Sequence, residues 1–188
     1  MATDVEICNR ALDAIGTAPI TALGDGGRAS DLCDRYFQQI VDDVLRSHPW
    51  NCAMTRVEID ADATAPEFGP ANRYALPEDC LRVLKVEGDA DPLVQWQVEA
   101  GYIVTDEPEP LQVVYTARVE ATALDPMLVS AIAARLAMEL SMPLTGSADM
   151  RQVMEREFIQ RMRAARSADG QEGTPLRLGA DEFGLSRL

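Results

Sequence analysis

The stretch His48-Pro49-Trp50-Asn51-Cys52-Ala53 (HPWNCA, residues 48–53) holds the chain's only histidine, one of its two tryptophans and one of its four cysteines. Its reading decides where helix gives way to sheet. Upstream, from Ser30, apolar residues recur as pairs every four positions: Leu32 and Cys33, Tyr36 and Phe37, Ile40 and Val41, Val44 and Leu45. That broad apolar face predicts a helix buried between neighbours. Pro49 biases His48 toward extended backbone and ends the helix. Trp50 then falls just past the helix end, where a large ring can close the core. A reactive His48/Cys52 pair is the competing reading. It needs an orienting third group, and none stands nearby in the sequence.

Downstream, over 55–118, the pattern changes. The runs LRVLKV (81–86), LVQWQV (93–98), GYIV (101–104) and LQVVYTA (111–117) are short, rich in β-branched and aromatic residues, and separated by Pro, Gly and Asp. Val94, Trp96 and Val98 alternate with Gln95 and Gln97, the period of a strand with one wet face. DEPEP (106–110) suits no element interior. A small antiparallel sheet inserted between helices is expected.

The flanks are helical. Thr3 and Glu6 have capping-box spacing, Val5, Cys8, Leu12 and Ile15 follow at helical intervals, and Gly16 supplies a stop. Asp125 and Pro126 suit an N-cap and first helical position. Ala131, Ala133, Ala134 and Ala137 allow close helix approach, and Pro143 and Gly146 are expected to end that helix. A last helix carries Met150, Met154, Phe158 and Met162 every four residues, with Val153 and Ala165 alongside. Such a stripe suits a core, and flexible methionines also suit a surface that repacks on a partner. The tail from Ser167 has no helical period, yet Leu176, Leu178, Phe183, Leu185 and Leu188 are too apolar for a solvated end. Docking on a second subunit or a larger partner would order it. The expected fold is α+β, mainly α: a bundle of about four helices from 1–54 and 119–169, an inserted antiparallel β-domain at 55–118, and an extended C-terminal arm at 170–188.

Composition narrows the function. A length of 188 residues fits one domain, or a domain with an appendage. No apolar run approaches about 18 residues, so no spanning helix and no membrane partner are expected. The acidic N-terminus lacks signal-peptide features, which predicts a cytosolic chain. Cys8, Cys33, Cys52 and Cys80 are too far apart for a zinc or redox motif and read as buried hydrophobes. GDGG (24–27) lacks the Gly-Lys-Ser/Thr ending of a phosphate loop. Carboxylate pairs such as Asp42–Asp43 and Glu78–Asp79 are what an acidic chain yields without design. No catalytic residue, metal or cofactor is expected, and the chain reads as no enzyme.

Charge is unevenly placed. Residues 1–148 carry 10 basic and 24 acidic side chains, whereas 149–188 carry 7 of each. An acidic body disfavours ordinary nucleic-acid binding. Arg151, Arg156, Arg163 and Arg166 fall largely away from the methionine stripe. They suit either an acidic partner or a solvated face with internal ion pairs.

Several stretches together resemble one family. EICNRALDAIGTAPI (6–20) followed by CDRYFQQIVDDVLRSHPWNCAMTR (33–56) is similar to the N-terminal helical pair of the tail tubular protein A-like head–tail adaptors of tailed bacteriophages and phage-like gene transfer agents. NRYALPEDCLRVLKV (72–86), GYIVTDEPEPLQVVYTARV (101–119), DPMLVSAIAARLAMELSMPLTGS (125–147) and DGQEGTP (169–175) also match in order. The resemblance covers residues 4–175. It implies that His48, Pro49 and Trp50 are a structural corner rather than a reactive pair. It further implies a virion structural protein, assembled in the bacterial cytoplasm as a dodecameric ring of its own copies under the capsid portal protein. Such a ring extends the DNA channel, lets DNA pass without sequence-specific binding, and docks the next tail component, a stopper or nozzle protein. By analogy the arm residues Leu176, Leu178, Phe183, Leu185 and Leu188 would lie on the portal. Arg151, Arg156, Arg163 and Arg166 would be a second portal or subunit contact. Two rivals stand beside this: an acidic DNA mimic or interaction protein binding a basic partner, and a small enzyme working through Asp or Glu.

Overall fold

The computed structural model describes residues 2–87 and 94–172. Helix α1 (Asp4–Ala14) begins with the capping box: the Glu6 N–H donates to Thr3 Oγ1 at 3.3 Å, and the Thr3 N–H donates to Glu6 Oε2 at 2.8 Å. It ends in a left-handed turn at Gly16, φ 71°. Asn9 holds the link that follows. Its amide donates to the Ile20 carbonyl at 3.0 Å and its carbonyl accepts from the Ile20 N–H at 2.8 Å.

Helix α2 (Arg28–Arg46) starts two residues before Ser30. Cys33, Phe37, Ile40, Val41, Val44 and Leu45 are buried, and Leu32 and Tyr36 pack half-buried beside them. Helix α3 (Pro126–Thr145) is the centre of the bundle, packed by α1, α2 and α4. Asp125 caps it, accepting from the N–H groups of Met127 at 2.7 Å and Leu128 at 3.2 Å. All four alanines anticipated for close approach are buried. Pro143 does not end this helix. It lies inside the last turn, where its missing N–H costs one bond, and the stop is Gly146 in the left-handed region. α3 is long and apolar enough to cross a membrane by length and composition, a test that a buried core helix also passes, and just over half of its most apolar stretch is buried within the molecule.

Helix α4 (Ala148–Asp169) is capped by Ser147, which accepts from the Met150 N–H at 3.1 Å. Met154, Met162 and Ala165 enter the core, and Met150 and Phe158 pack half-buried against it. Val153 is exposed, because it sits off the stripe on the solvent side.

Among the described residues, six strands lie between α2 and α3: β1 (Met54–Ile59), β2 (Asn72–Ala75), β3 (Cys80–Glu87), β4 (Trp96–Glu99), β5 (Tyr102–Thr105) and β6 (Leu111–Ala117). They form two three-stranded antiparallel sheets, β1-β6-β3 and β2-β5-β4, rather than one. β1 pairs with β6 from Met54 opposite Thr116 to Ile59 opposite Leu111. β4 and β5 close through Ala100 and Gly101, both at positive φ, the requirement of a two-residue hairpin turn. Tyr74, Val83, Val86, Ile103, Leu111, Val113 and Tyr115, drawn from both sheets, make a second core, with Trp96 against it. Val98 is exposed although it shares a strand face with Trp96. The molecule is thus a mainly-α α+β fold with two small sheets and two cores.

Arginine side chains help tie the helices to the sheets. Arg118, just past β6, grips Asp42 of α2 through Nε–Oδ1 at 3.0 Å and Nη2–Oδ2 at 2.6 Å. Arg46, the last residue of α2, donates to the Leu81 carbonyl of β3.

Candidate functional site

The corner at 48–53 is built from the end of α2 outward. Pro49 leaves the helix, Asn51–Ala53 make one 3₁₀ turn, and β1 starts at Met54. Trp50 is 1% exposed, and its indole N–H donates to the Val44 carbonyl at 2.9 Å. The same carbonyl, in the last turn of α2, also accepts from the Ser47 N–H at 3.2 Å and from the Ser47 hydroxyl at 2.8 Å, so the indole joins an end already capped. The His48 ring stands edge-on to the Trp50 ring at 4.5 Å.

The corner's other partner is Asp169, the last residue of α4. His48 Nε2 lies 3.1 Å from Asp169 Oδ2. The Asn51 N–H donates to Oδ1 at 2.8 Å, and the Asn51 side-chain amide donates to the Asp169 carbonyl at 2.7 Å. One turn earlier, Arg166 Nη2 reaches Ser47 Oγ at 3.5 Å. The histidine that invited a catalytic reading is therefore engaged by a carboxylate 121 positions away and by a tryptophan edge. The Cys52 thiol is pushed up by burial, which disfavours the thiolate a nucleophile needs. These contacts make a joint between α2, β1 and the end of α4.

Sequence reasoning missed Asp169 and Asn51 as members of this joint. A signal was present. An aspartate closing a helix sits against the negative end of the helix dipole, which is unfavourable unless a tertiary contact compensates.

Arg151, Arg156, Arg163 and Arg166 are all exposed. At about 100° per residue, Arg156, Arg163 and Arg166 fall within one quadrant of α4, with Ile159 between them and the Met154–Met162 stripe on one side. Arg156 Nε reaches back to the Gln152 carbonyl at 3.3 Å. None of the four is within ion-pair distance of a carboxylate among the described residues. The internal pairing expected for a solvated face falls instead to Arg161, 3.2 Å from Glu157.

Beside this flank lies a shallow groove of about 360 Å³ between α2, α3 and α4. Val44, Phe158, Ile159 and Met162 form its floor, and Arg135, Arg163 and Arg166 stand on its rim with Asp43. Arg135 is held by Glu139 and by the face of Phe158, its guanidinium carbon 5.8 Å from the ring centroid.

One member of each carboxylate pair singled out from sequence has a structural partner. Asp42 grips Arg118, and Asp79 Oδ1 accepts from the Tyr115 hydroxyl at 3.1 Å. Burial and that carboxylate push Tyr115 up to about 12. Cys8 and Cys33 are fully buried, and hydrogen bonding to Cys33 followed by burial holds Cys8 as a thiol. Among the described residues no group of three or more His, Cys, Asp or Glu is placed to hold a metal ion. The arm residues Leu176, Leu178, Phe183, Leu185 and Leu188 lie outside the described residues.

No protein-family model matches the chain, and no curated protein matches it. The functional reading therefore stands on the residues and the geometry above.

Proposed function

We propose that this chain is a structural head–tail adaptor: a ring-forming protein that sits beneath a capsid portal, continues the DNA channel and offers a docking surface to the next tail component. The observation that carries the reading is the joint at His48–Asn51. The stretch on which the adaptor resemblance turns is also the one that fastens the root of the C-terminal segment, through Asp169, to the point where bundle meets sheet. An adaptor needs such a fixed root, because a docking arm gains affinity when its starting point is already ordered. Two features add support. The chain's net charge of −14 suits a conduit through which DNA slides without sticking. Arg151, Arg156, Arg163 and Arg166, exposed and without carboxylate partners among the described residues, suit a second contact to portal or neighbour.

The test is native mass spectrometry of the chain mixed with the portal ring of the same particle. Saturable addition of one copy per portal subunit is expected. Deleting residues 171–188 should abolish capture while leaving the helical circular dichroism signal unchanged. Capture that survives the deletion would remove the arm from the proposal, and no association between two well-folded components would remove the portal.

A further inference from the structure

The groove between α2, α3 and α4 combines two properties rarely found together on so acidic a molecule. Its floor is apolar, with Ile159 42% exposed and Phe158 and Met162 beside it. Its rim carries three guanidinium groups, of which Arg163 and Arg166 have no carboxylate within 4.0 Å among the described residues. An occupant that fits must be acidic and must bear a large apolar side chain next to its acids. The acid meets the arginine fork, which prefers carboxylates, and the apolar group covers the floor.

The chain itself contains such a sequence: Asp181-Glu182-Phe183-Gly184-Leu185. We infer that in the isolated chain the groove is the docking site of this segment, with Asp181 and Glu182 against Arg163 and Arg166 and Phe183 over Ile159 and Met162. Residues 181–185 lie outside the described residues, and length and charge identify them as the occupant. From Glu172 to Asp181 the chain spans nine residues, which reach up to about 30 Å when extended. Along α4 the distance from Asp169 back to Arg163 is only about 9 Å at the helical rise. The segment can therefore fold back on its own molecule. A tether of this length holds it at an effective concentration in the millimolar range, so at micromolar protein it outcompetes the same segment of a second copy.

The docked state has a consequence. Phe183 and Leu185 would be covered on the free chain and available to a partner only after the groove releases them. Premature association through these apolar residues would then be suppressed until a competing surface takes the segment. This holds whatever that partner is.

Hydrogen exchange of the full-length chain, read by mass spectrometry on peptides covering 178–188, tests the inference without any portal. Amides of 181–185 should exchange at least about tenfold more slowly than in Arg163→Glu/Arg166→Glu. Adding Asp181→Lys/Glu182→Lys to that variant should restore the protection. All these side chains are solvent-facing or near the terminus, and an unchanged helical circular dichroism signal checks that folding is kept. Exchange of 181–185 at random-coil rates in the unaltered chain would overturn the proposal. So would protection that disappears on tenfold dilution together with a dimer in light scattering, because the occupant would then be a second copy. A failure here would leave portal capture untouched, and a failure of portal capture would leave this measurement standing.

Discussion

Replacing Asp169 with alanine isolates what the joint contributes. The substitution removes the acceptor of the Asn51 N–H at 2.8 Å and the partner of His48 Nε2 at 3.1 Å. Hydrogen bonds to a charged group contribute about 1.5–3 kcal/mol when well buried. The Asp169 and His48 side chains are 12% and 27% exposed, so water and salt screen the pair, and about 0.5–1 kcal/mol per bond is the appropriate scale. Against this, removing a negative charge from the C-terminal end of a helix returns about 0.3–0.5 kcal/mol. The net expected loss is about 0.5–1.7 kcal/mol, a fall in Tm of roughly 1–7 °C for a chain of this size. Asp169→Asn, which keeps an oxygen acceptor but not the charge, should lose about half as much. The damage should be local. Amides at 166–170 should exchange faster while those in the centre of α3 keep their rates, since fraying of one end opens below the global free energy. Urea titration with hydrogen exchange measures both. An Asp169→Ala stability within 0.3 kcal/mol of the unaltered chain, with exchange at 166–170 unchanged, would refute the idea that the joint holds the end of α4.

Other substitutions probe separate parts of the fold. Trp50→Ala should cost about 3–5 kcal/mol by urea unfolding, because it empties a fully buried site at the end of the bundle core. Thr116→Val should be neutral or stabilising by about 1 kcal/mol, since the Thr116 hydroxyl is completely buried and has no hydrogen-bond partner among the described residues. Tyr115 is held neutral by burial and by Asp79, up to about 12 against an ordinary value of 10.0. Its contribution is therefore fully present below pH 10 and is lost as pH rises toward 12, because the unfolded chain releases that proton first. Between those pH values Tm should fall more steeply in the unaltered chain than in Tyr115→Phe. Parallel slopes would remove Tyr115 as the cause.

The helices were legible because each has its own local signals. The Thr3–Glu6 box, the paired apolar positions of α2, and Asp125-Pro126 before α3 all act within one or two turns, where backbone hydrogen bonding decides the outcome. The general fold class followed from the same signals, together with the β-branched runs at 81–86, 101–104 and 111–117. Pro143 misled because one missing N–H in a last turn is tolerated when Leu140 and the alanines beneath it are already buried. The division of six strands into two sheets was not legible. Strand partners are chosen by long-range burial, such as Tyr74 and Ile103 meeting Val83 and Tyr115, and no local pattern records that choice.

The sequence by itself determined where α1 and α3 start, which faces the helices bury, and that a corner stands at His48-Pro49-Trp50. Only the tertiary structure decided what that corner holds. Asp169 lies 121 positions from His48, and a carboxylate at the end of a polar helix has no sequence-local reason to choose an imidazole and an asparagine backbone. Packing of α4 along α3 brings it there, and the burial that drives this packing is the sum of many contacts distributed over both helices. The same packing leaves Arg163 and Arg166 beside an apolar floor drawn from α2 and α4, a juxtaposition that exists only once the bundle has closed.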